Sequence, residues 1–252
     1  MVKLIMHGSS GKMGRVITEL VKNDPDVEIV AGVDAFPINE DFPVFTSITE
    51  CNIDADVIID FSTASAVPAV VRYGVDHNIP VVICTTGLDD NTIKMMDAAS
   101  KSIPVFRSYN MSLGINLLAA ILKKYSDVLY DAGFDVEIVE RHHNQKIDAP
   151  SGTAIMLGAA VNTGVGDKLE FVFDRSQVRE KRTRDQLGFS AVRGGTIVGD
   201  HEVIFAGKDE VVEFKHSAYS KEVFAVGAVR AAKFIKGKQA GKYDMQDVMS
   251  EI

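Results

Sequence analysis

Between residues 140 and 154 the chain reads Glu-Arg-His-His-Asn-Gln-Lys-Ile-Asp-Ala-Pro-Ser-Gly-Thr-Ala, which sets an acid–base pair beside an anion site. His142 and His143 are adjacent imidazoles, side chains that exchange protons near neutral pH. Lys146 adds an ammonium one short step further on. Ser151 is a good N-cap and Pro150 leads the chain into the turn, so the N–H groups of Gly152 and Thr153 stand at a helix start, outside that helix's own ladder. Such donors suit a carboxylate. Two neighbouring histidines also fit a plain surface position or half of a metal site, and Pro-Ser-Gly-Thr also fits a capped helix that holds nothing. A zinc site needs further ligands at short spacing; no cysteine lies nearby and Lys146 repels a cation, so no metal is expected.

A second constellation lies near the N-terminus, where Gly8, Ser9, Ser10, Gly11, Lys12, Met13 and Gly14 separate a short apolar run from a helical pattern. A pyrophosphate placed there meets free backbone N–H groups and the positive end of the helix. The spacing is G-x-x-G-x-x-G, not the commoner G-x-G-x-x-G, and a tight structural turn would use the same glycines. Asp34 closes the next apolar run about twenty residues later, where a carboxylate accepts hydrogen bonds from an adenosine ribose. A carboxylate also repels a ribose 2′-phosphate, and Ala35 supplies no cation to offset it. Lys12 and Arg15 are near enough in sequence to reach such a phosphate. The expectation is therefore NADH and/or NADPH, with at most a modest preference for NADH.

These residues need elements to hold them. Val2 to Met6 is an apolar run that ends at glycine, and Val16, Ile17, Leu20 and Val21 recur at helical spacing, so strand, turn and helix follow one another. Val27 to Val33 closes a β-α-β unit. The pattern repeats through Val57-Ile58-Ile59, a helix from Ala64 to Val75, a strand at Pro80 to Cys84, a helix from Asp89 to Ser100 and a strand at Val105-Phe106. Continuous apolar strands alternating with helices predict a parallel sheet covered on both faces. After Asn110 the texture changes. Leu113 to Leu129 reads as a long helix, Phe134 to Glu140 as an alternating strand, and a helix begins near Ser151. Phe171 to Phe173, Phe189 to Val192, His201 to Ala206 and Val211 to Lys215 read as antiparallel strands, with a hairpin at Gly207-Lys208-Asp209. Val223 to Ile235 is an amphipathic helix capped by Gly237, with Lys233 and Lys236 near its negative end. The reading is an α/β fold: an N-terminal Rossmann-type parallel-sheet domain plus a smaller α+β substrate and oligomerisation domain with a mixed, largely antiparallel sheet.

Composition narrows the classes of partner. With 46% hydrophobic and 25% charged residues over 252 positions, the chain has the balance of a globular protein of one large or two modest domains. Its 27 basic residues against 35 acidic ones leave a net charge of −8, which opposes a nucleic-acid backbone, and Arg179 to Arg184 is too short and too interleaved with acids to reverse that. The only cysteines, Cys51 and Cys84, make no disulfide framework. No apolar stretch is long enough for a signal segment or a membrane span, so a cytoplasmic protein that binds neither membrane nor nucleic acid is expected.

Across E-x-H-H-x-x-K-x-D-A-P-S-G-T-A the sequence resembles the 4-hydroxy-tetrahydrodipicolinate reductases, formerly called dihydrodipicolinate reductases. The resemblance continues through the glycine turn, Asp60-Phe61-Ser62, Thr85-Thr86-Gly87, Asn110 to Asn116, Arg193-Gly194-Gly195, Gly199-Asp200-His201 and the helix around Gly227 to Ala232. It implies reduction of 4-hydroxy-tetrahydrodipicolinate, a small cyclic dicarboxylate, to tetrahydrodipicolinate with loss of water, in the diaminopimelate route to lysine. It further implies that His142 donates the proton, that Lys146 assists the transfer, and that His143, Lys146, Gly152 and Thr153 hold the carboxylates. On the nucleotide side it adds Phe61 and Ser62, with Thr85, Thr86 and Gly87 bordering the nicotinamide and the backbone of Asn110, Met111 and Ser112 meeting its carboxamide and serving as hinge. A homotetramer built through the second sheet is implied, as is a last helix that returns to the first domain. The nucleotide domain is then 1–110 completed by 221–252, and 111–220 is the substrate-binding and tetramerisation domain. The chain departs from the family pattern at Cys84, where glycine is common, and at Arg141, where a small residue is frequent.

The chemistry is consistent with those roles. Hydride addition to C4 of an unsaturated cyclic imine pushes electron density toward the ring nitrogen, so a nearby cation stabilises it and a general acid completes the reduction, the acid being worth ~10²–10⁴ in rate. A nucleotide-sensing protein without catalysis would have no use for His142 and Lys146, and a homoserine or sugar dehydrogenase would have no reason to combine His-His, Lys and Ser-Gly-Thr. Substrate and nucleotide, bound to different domains, are expected to bring those domains together.

Overall fold

In the computed structural model, which describes residues 1–251, the apolar runs become strands of two separate sheets. In chain order the first elements are β1 (Val2–His7), α1 (Lys12–Val21), β2 (Val27–Val33), β3 (Val44–Phe45), a 3-10 turn (Ile48–Glu50), β4 (Val57–Asp60) and α2 (Val67–His77). Then come β5 (Val81–Ile83), α3 (Asp90–Ala99), β6 (Pro104–Arg107), α4 (Leu113–Asp131), β7 (Asp135–His142) and α5 (Gly152–Gly164). The chain continues through β8 (Glu170–Val172), β9 (Gln186–Arg193), β10 (Gly199–Ala206), β11 (Val211–Ala218), α6 (Glu222–Ile235), β12 (Gly241–Tyr243) and α7 (Met245–Ser250). They form two compact units, Met1–Leu113 with Lys221–Ile252, and Gly114–Ser220.

The first unit carries a seven-stranded sheet in the order β12-β6-β5-β4-β1-β2-β3, with every pairing parallel. Leu4, Met6, Val57, Ile59 and Phe106 point to the face covered by α1, α6 and α7, and Ile5, Ile58, Val81 and Ile83 to the face covered by α2 and α3. Burying both faces explains why these strands read as continuous apolar runs. Each fully buried Leu or Ile contributes roughly 1.5–3 kcal/mol. The strand order reverses between β1 and β4, which opens a crevice at the carboxyl ends of those strands. Helix α2 starts three residues later than its apolar pattern, because Pro68 takes a first-turn position where its missing N–H costs nothing. Strands β3 and β12 and helix α7, of two, three and six residues, are too short to leave a periodic signal. At the end of α6, Lys233 reaches Asp24 at 2.8 Å and Lys236 reaches Asp56 at 2.9 Å, so both ammoniums find carboxylates on neighbouring loops.

The second unit is a five-stranded sheet, β11-β10-β7-β9-β8, packed on α4 and α5 through Leu122, Ile138, Leu157, Val161, Leu187, Phe189, Val203 and Phe205. The sheet is mixed. β10 runs antiparallel to β7 and β11, whereas β8 and β9, read from alternation as antiparallel, run parallel to their neighbours. Alternation fixes which face a residue takes but carries no information on strand direction; here α5 and the following loop act as the crossover that returns the chain parallel to β7. Among the described residues no helix is long and apolar enough to cross a membrane.

Candidate functional site

In the first unit β1 turns into α1 at Gly8, whose φ is +82° and where a Cβ would lie 2.5 Å from the carbonyl oxygen of Phe61. A side chain is excluded on both counts. Gly11 is the N-cap of α1 and offers no side-chain cap, so Lys12, Met13 and Gly14 present their N–H groups at the positive helix end. Asp34 sits just past β2 and its two carboxylate oxygens accept the N–H groups of Ser10 and Phe36, each at 3.0 Å, which ties the glycine turn to the end of the second strand. A cavity of about 450 Å³ lies there, lined by Gly8, Gly11, Asp34, Phe36, Phe61 and Ser62 among others.

Asp60, fully buried at the end of β4, gathers the neighbouring strand ends. Its carboxylate lies 2.6 Å from Nδ1 of His7 and accepts the hydroxyls of Ser62 and Thr85, both at 2.6 Å, while the Ser62 N–H donates to Thr85 Oγ1 at 2.9 Å. Phe61, Ser62 and Thr85 are thus held as one group, with Thr86 and Gly87 following directly. In this unit, Asp60 and His7 are site residues to which the sequence gives no role. Asn110, Met111 and Ser112 form the turn before α4, with Asn110 Oδ1 accepting the Ser112 N–H at 2.8 Å and Met111 buried beneath Gly227 of α6. Cys84 packs against the apolar layer and desolvation pushes its thiol well above the ordinary range.

In the second unit the informative stretch ends the central strand. Val136, Ile138, Glu140 and His142 alternate onto the buried face of β7. Arg193 is the register partner of His142 on β9, and His201 that of Glu140 on β10, so three strands converge on one spot beneath the N-terminus of α5. Glu140, 1% exposed, lies 2.6 Å from Nδ1 of His142, accepts two hydrogen bonds from Arg193 at 2.8 and 2.7 Å, and accepts the Ser151 N–H at 3.0 Å. Burial opposes ionisation of Glu140, but these donors outweigh it and pull its carboxyl down to about 2. Ser151 caps α5 by accepting the Ala154 N–H and also meets Nε2 of His201 at 3.0 Å. Burial, with His142 nearby, pushes the His201 imidazole down to about 3, so it stays neutral beside His142. Arg141 turns to the opposite face of the sheet and pairs with Glu202 at 3.2 Å, which keeps this family departure away from the cluster.

Lys146 follows on the loop and pairs with Asp148 at 2.8 Å. Burial works against the Asp148 charge, yet Lys146 and the Gly152 N–H together hold its carboxyl below the usual range. Two of the groups expected to hold a ligand carboxylate therefore hold this side chain. The carbonyl of Asp148 accepts from Arg193 at 2.6 Å, which connects the loop to Glu140 and His142. His143, half-buried, lies just past β7 and its carbonyl accepts the Lys146 N–H at 3.1 Å; Thr153 follows Gly152 in the first turn of α5. Glu140 stands two residues before His142 on a strand, so alternation alone places both on one face; Arg193 and His201 needed the register.

The profile described as "Dihydrodipicolinate reductase, N-terminus" matches residues 2–111, and that described as "Dihydrodipicolinate reductase, C-terminus" matches residues 114–249. A 4-hydroxy-tetrahydrodipicolinate reductase of Caldanaerobacter subterraneus is 50% identical over 251 residues, covering 100% of this chain and 99% of the relative. One from Clostridium tetani is 47% identical, covering 99% of this chain and 98% of the relative. Among solved structures, the dipicolinate-bound dihydrodipicolinate reductase from Paenisporosarcina sp. TG-14 is 24% identical with a TM-score of 0.74, covering 98% of each chain. A myo-inositol dehydrogenase from Corynebacterium glutamicum shares the fold at 16% identity and a TM-score of 0.58, covering 99% of this chain and 93% of the other.

Proposed function

Since the chain belongs to the dihydrodipicolinate reductase family, we propose that its two sites together reduce 4-hydroxy-tetrahydrodipicolinate, with His142 as the proton donor and Lys146 as the cation beside it. The enzyme is an oxidoreductase of the diaminopimelate route to lysine, using NAD(P)H to form tetrahydrodipicolinate with loss of water. The resemblance read from the sequence is borne out over the full chain.

The first unit fits a dinucleotide, because its cavity meets the bare start of α1 where Gly8 leaves no Cβ and Asp34 faces the same space. When bound, the reduced nicotinamide supplies the hydride. Gly8 to Gly14 would hold the pyrophosphate and Asp34 the adenosine ribose, with Phe61, Ser62, Thr85, Thr86 and Gly87 and the Asn110, Met111, Ser112 turn around the nicotinamide. Both NADH and NADPH are taken as cofactors, with a modest preference for NADH that rests on the Asp34 charge.

In the second unit His143, Lys146, Gly152 and Thr153 are assigned to the substrate carboxylates. The relative from Paenisporosarcina was solved with dipicolinate, itself a cyclic dicarboxylate, which supports that class of ligand. One substrate carboxylate would displace Asp148 from Lys146 and the Gly152 N–H, exchanging one anion for another on the same donors. As electron density reaches the ring nitrogen, Lys146 stabilises it and His142 delivers the proton. A cytoplasmic homotetramer completes the reading; the free Cys51 and Cys84 agree with a reducing compartment, and the tetramer rests on the family resemblance. The observation that carries the proposal is the convergence of His142, Glu140, Arg193, Lys146 and the start of α5 in one network. Nucleotide oxidation, followed optically with substrate freshly made by the preceding synthase, tests it: turnover that depends on the synthase product is expected, and no oxidation at any product concentration contradicts it.

A further inference from the structure

Glu140 takes three hydrogen bonds from fixed donors and faces a ring nitrogen of His142. Oε2 faces Nδ1 of His142 and one nitrogen of Arg193; Oε1 takes the second Arg193 nitrogen and the Ser151 N–H. An ionised carboxylate only accepts hydrogen bonds, and a fork-shaped contact from an always-charged guanidinium fixes it in that state. The proton between Glu140 and His142 must then sit on Nδ1 of the imidazole. The other nitrogen, Nε2, faces Gly199, where an added Cβ would come within 3.0 Å of it. Glycine therefore keeps that side of the ring clear.

We propose that Glu140 is the positioning residue of the acid: clamped by Arg193 and the Ser151 N–H, it holds Nδ1–H of His142, so that the proton given to substrate leaves from Nε2. In that step the Nε2–H bond breaks, a bond to hydrogen forms on the reduced substrate, and the imidazole returns to its neutral Nδ1–H form until solvent recharges it. This deepens the assignment of His142 as proton donor and rests on it. Neither Arg193 nor Glu140 touches the reacting atoms. Arg193 sets the charge and angle of Glu140, and Glu140 sets the tautomer of His142. The network also explains the spacing of Ser151, whose N–H is used by Glu140 while its hydroxyl caps α5.

The direct test is nitrogen-15 resonance of the imidazoles in the wild-type enzyme, with the His142 signals identified by their loss in His142→Gln. The neutral His142 ring is expected to carry its proton on Nδ1; a neutral ring protonated on Nε2 would overturn the proposal. In Glu140→Gln, one Arg193 nitrogen and the Ser151 N–H hold the amide oxygen and turn its NH₂ toward Nδ1, at the loss of the other Arg193 contact, so the tautomer is expected to reverse. Turnover then falls roughly 10–100-fold, a part of what a general acid supplies, while substrate KM and nucleotide affinity stay within about threefold. Glu140→Asp, which keeps a carboxylate, recovers part of kcat and the Nδ1–H form. If His142→Gln abolishes turnover while Glu140→Gln keeps wild-type kcat, this inference fails alone; if His142→Gln is fully active, the assignment of the acid fails with it.

Discussion

Replacing Glu140 by Gln should make the protein's stability less sensitive to acid, and the size of the change follows from the environment of that carboxyl. Burial raises the cost of its charge, but His142, Arg193 and the Ser151 N–H more than offset it, and the folded value falls from 4.5 to about 2. With the group only 1% exposed, little solvent screening intervenes. At about 1.4 kcal/mol per pH unit, the depression is worth roughly 3 kcal/mol. A carboxyl that is a stronger acid when folded binds fewer protons there than in the unfolded chain. Its contribution is therefore complete well above pH 4.5, declines as the pH falls below that value, and is gone below about 2. By about pH 3.5 roughly 1–2 kcal/mol of it is lost. Urea unfolding followed by circular dichroism at pH 7 and at about pH 3.5 measures this as a double difference. The gap in stability between wild type and Glu140→Gln should narrow by about 1–2 kcal/mol at the lower pH. A gap that stays constant, or widens, would refute the claim that Glu140 is held ionised by its neighbours.

Gly8→Ala combines a left-handed backbone with a Cβ 2.5 Å from Phe61 O, so nucleotide affinity measured by calorimetry should fall at least about tenfold, and unchanged affinity would remove the turn from the site. Asp34→Ala frees the Ser10 and Phe36 N–H groups and removes the ribose acceptor; kcat/KM should fall about tenfold more for NADH than for NADPH, at roughly 1.4 kcal/mol. A strong NADPH preference in the wild type would contradict the charge argument. Asp148→Asn removes the resident anion from Lys146; for a pair this exposed the contact is worth about 0.2–1 kcal/mol, so substrate KM should drop by up to about fivefold, whereas a higher KM would show that Asp148 assists binding.

The first unit was readable because its physics is local: Val57-Ile58-Ile59 and Val81-Val82-Ile83 are buried on both faces, and runs of that kind between helical segments leave few architectures. The break after Asn110 was visible as a change from such runs to alternation. β3 and β12 were not legible, since two or three residues borrow their order from a neighbouring strand. The direction of β8 and β9 is set by the crossover and not by side-chain pattern. At the site, His142, Lys146 and the start of α5 lie close in sequence and could be read as one motif. Arg193 and His201 are more than fifty positions from Glu140 and join it only through register, so the clamp on Glu140 emerged with the sheet. Likewise Lys146 reads from the sequence as a cation for a ligand carboxylate, and its pairing with Asp148 depends on the path of the loop.

The most direct test of the whole account separates nucleotide binding from chemistry in His142→Gln and Lys146→Ala. Nucleotide affinity should remain within about twofold of wild type in each, while turnover with synthase-generated substrate falls by at least about 10², as expected for loss of a general acid or of the cation beside it. Full turnover in either variant would contradict the role given to that residue, and full turnover in both would leave the second unit without its chemical function.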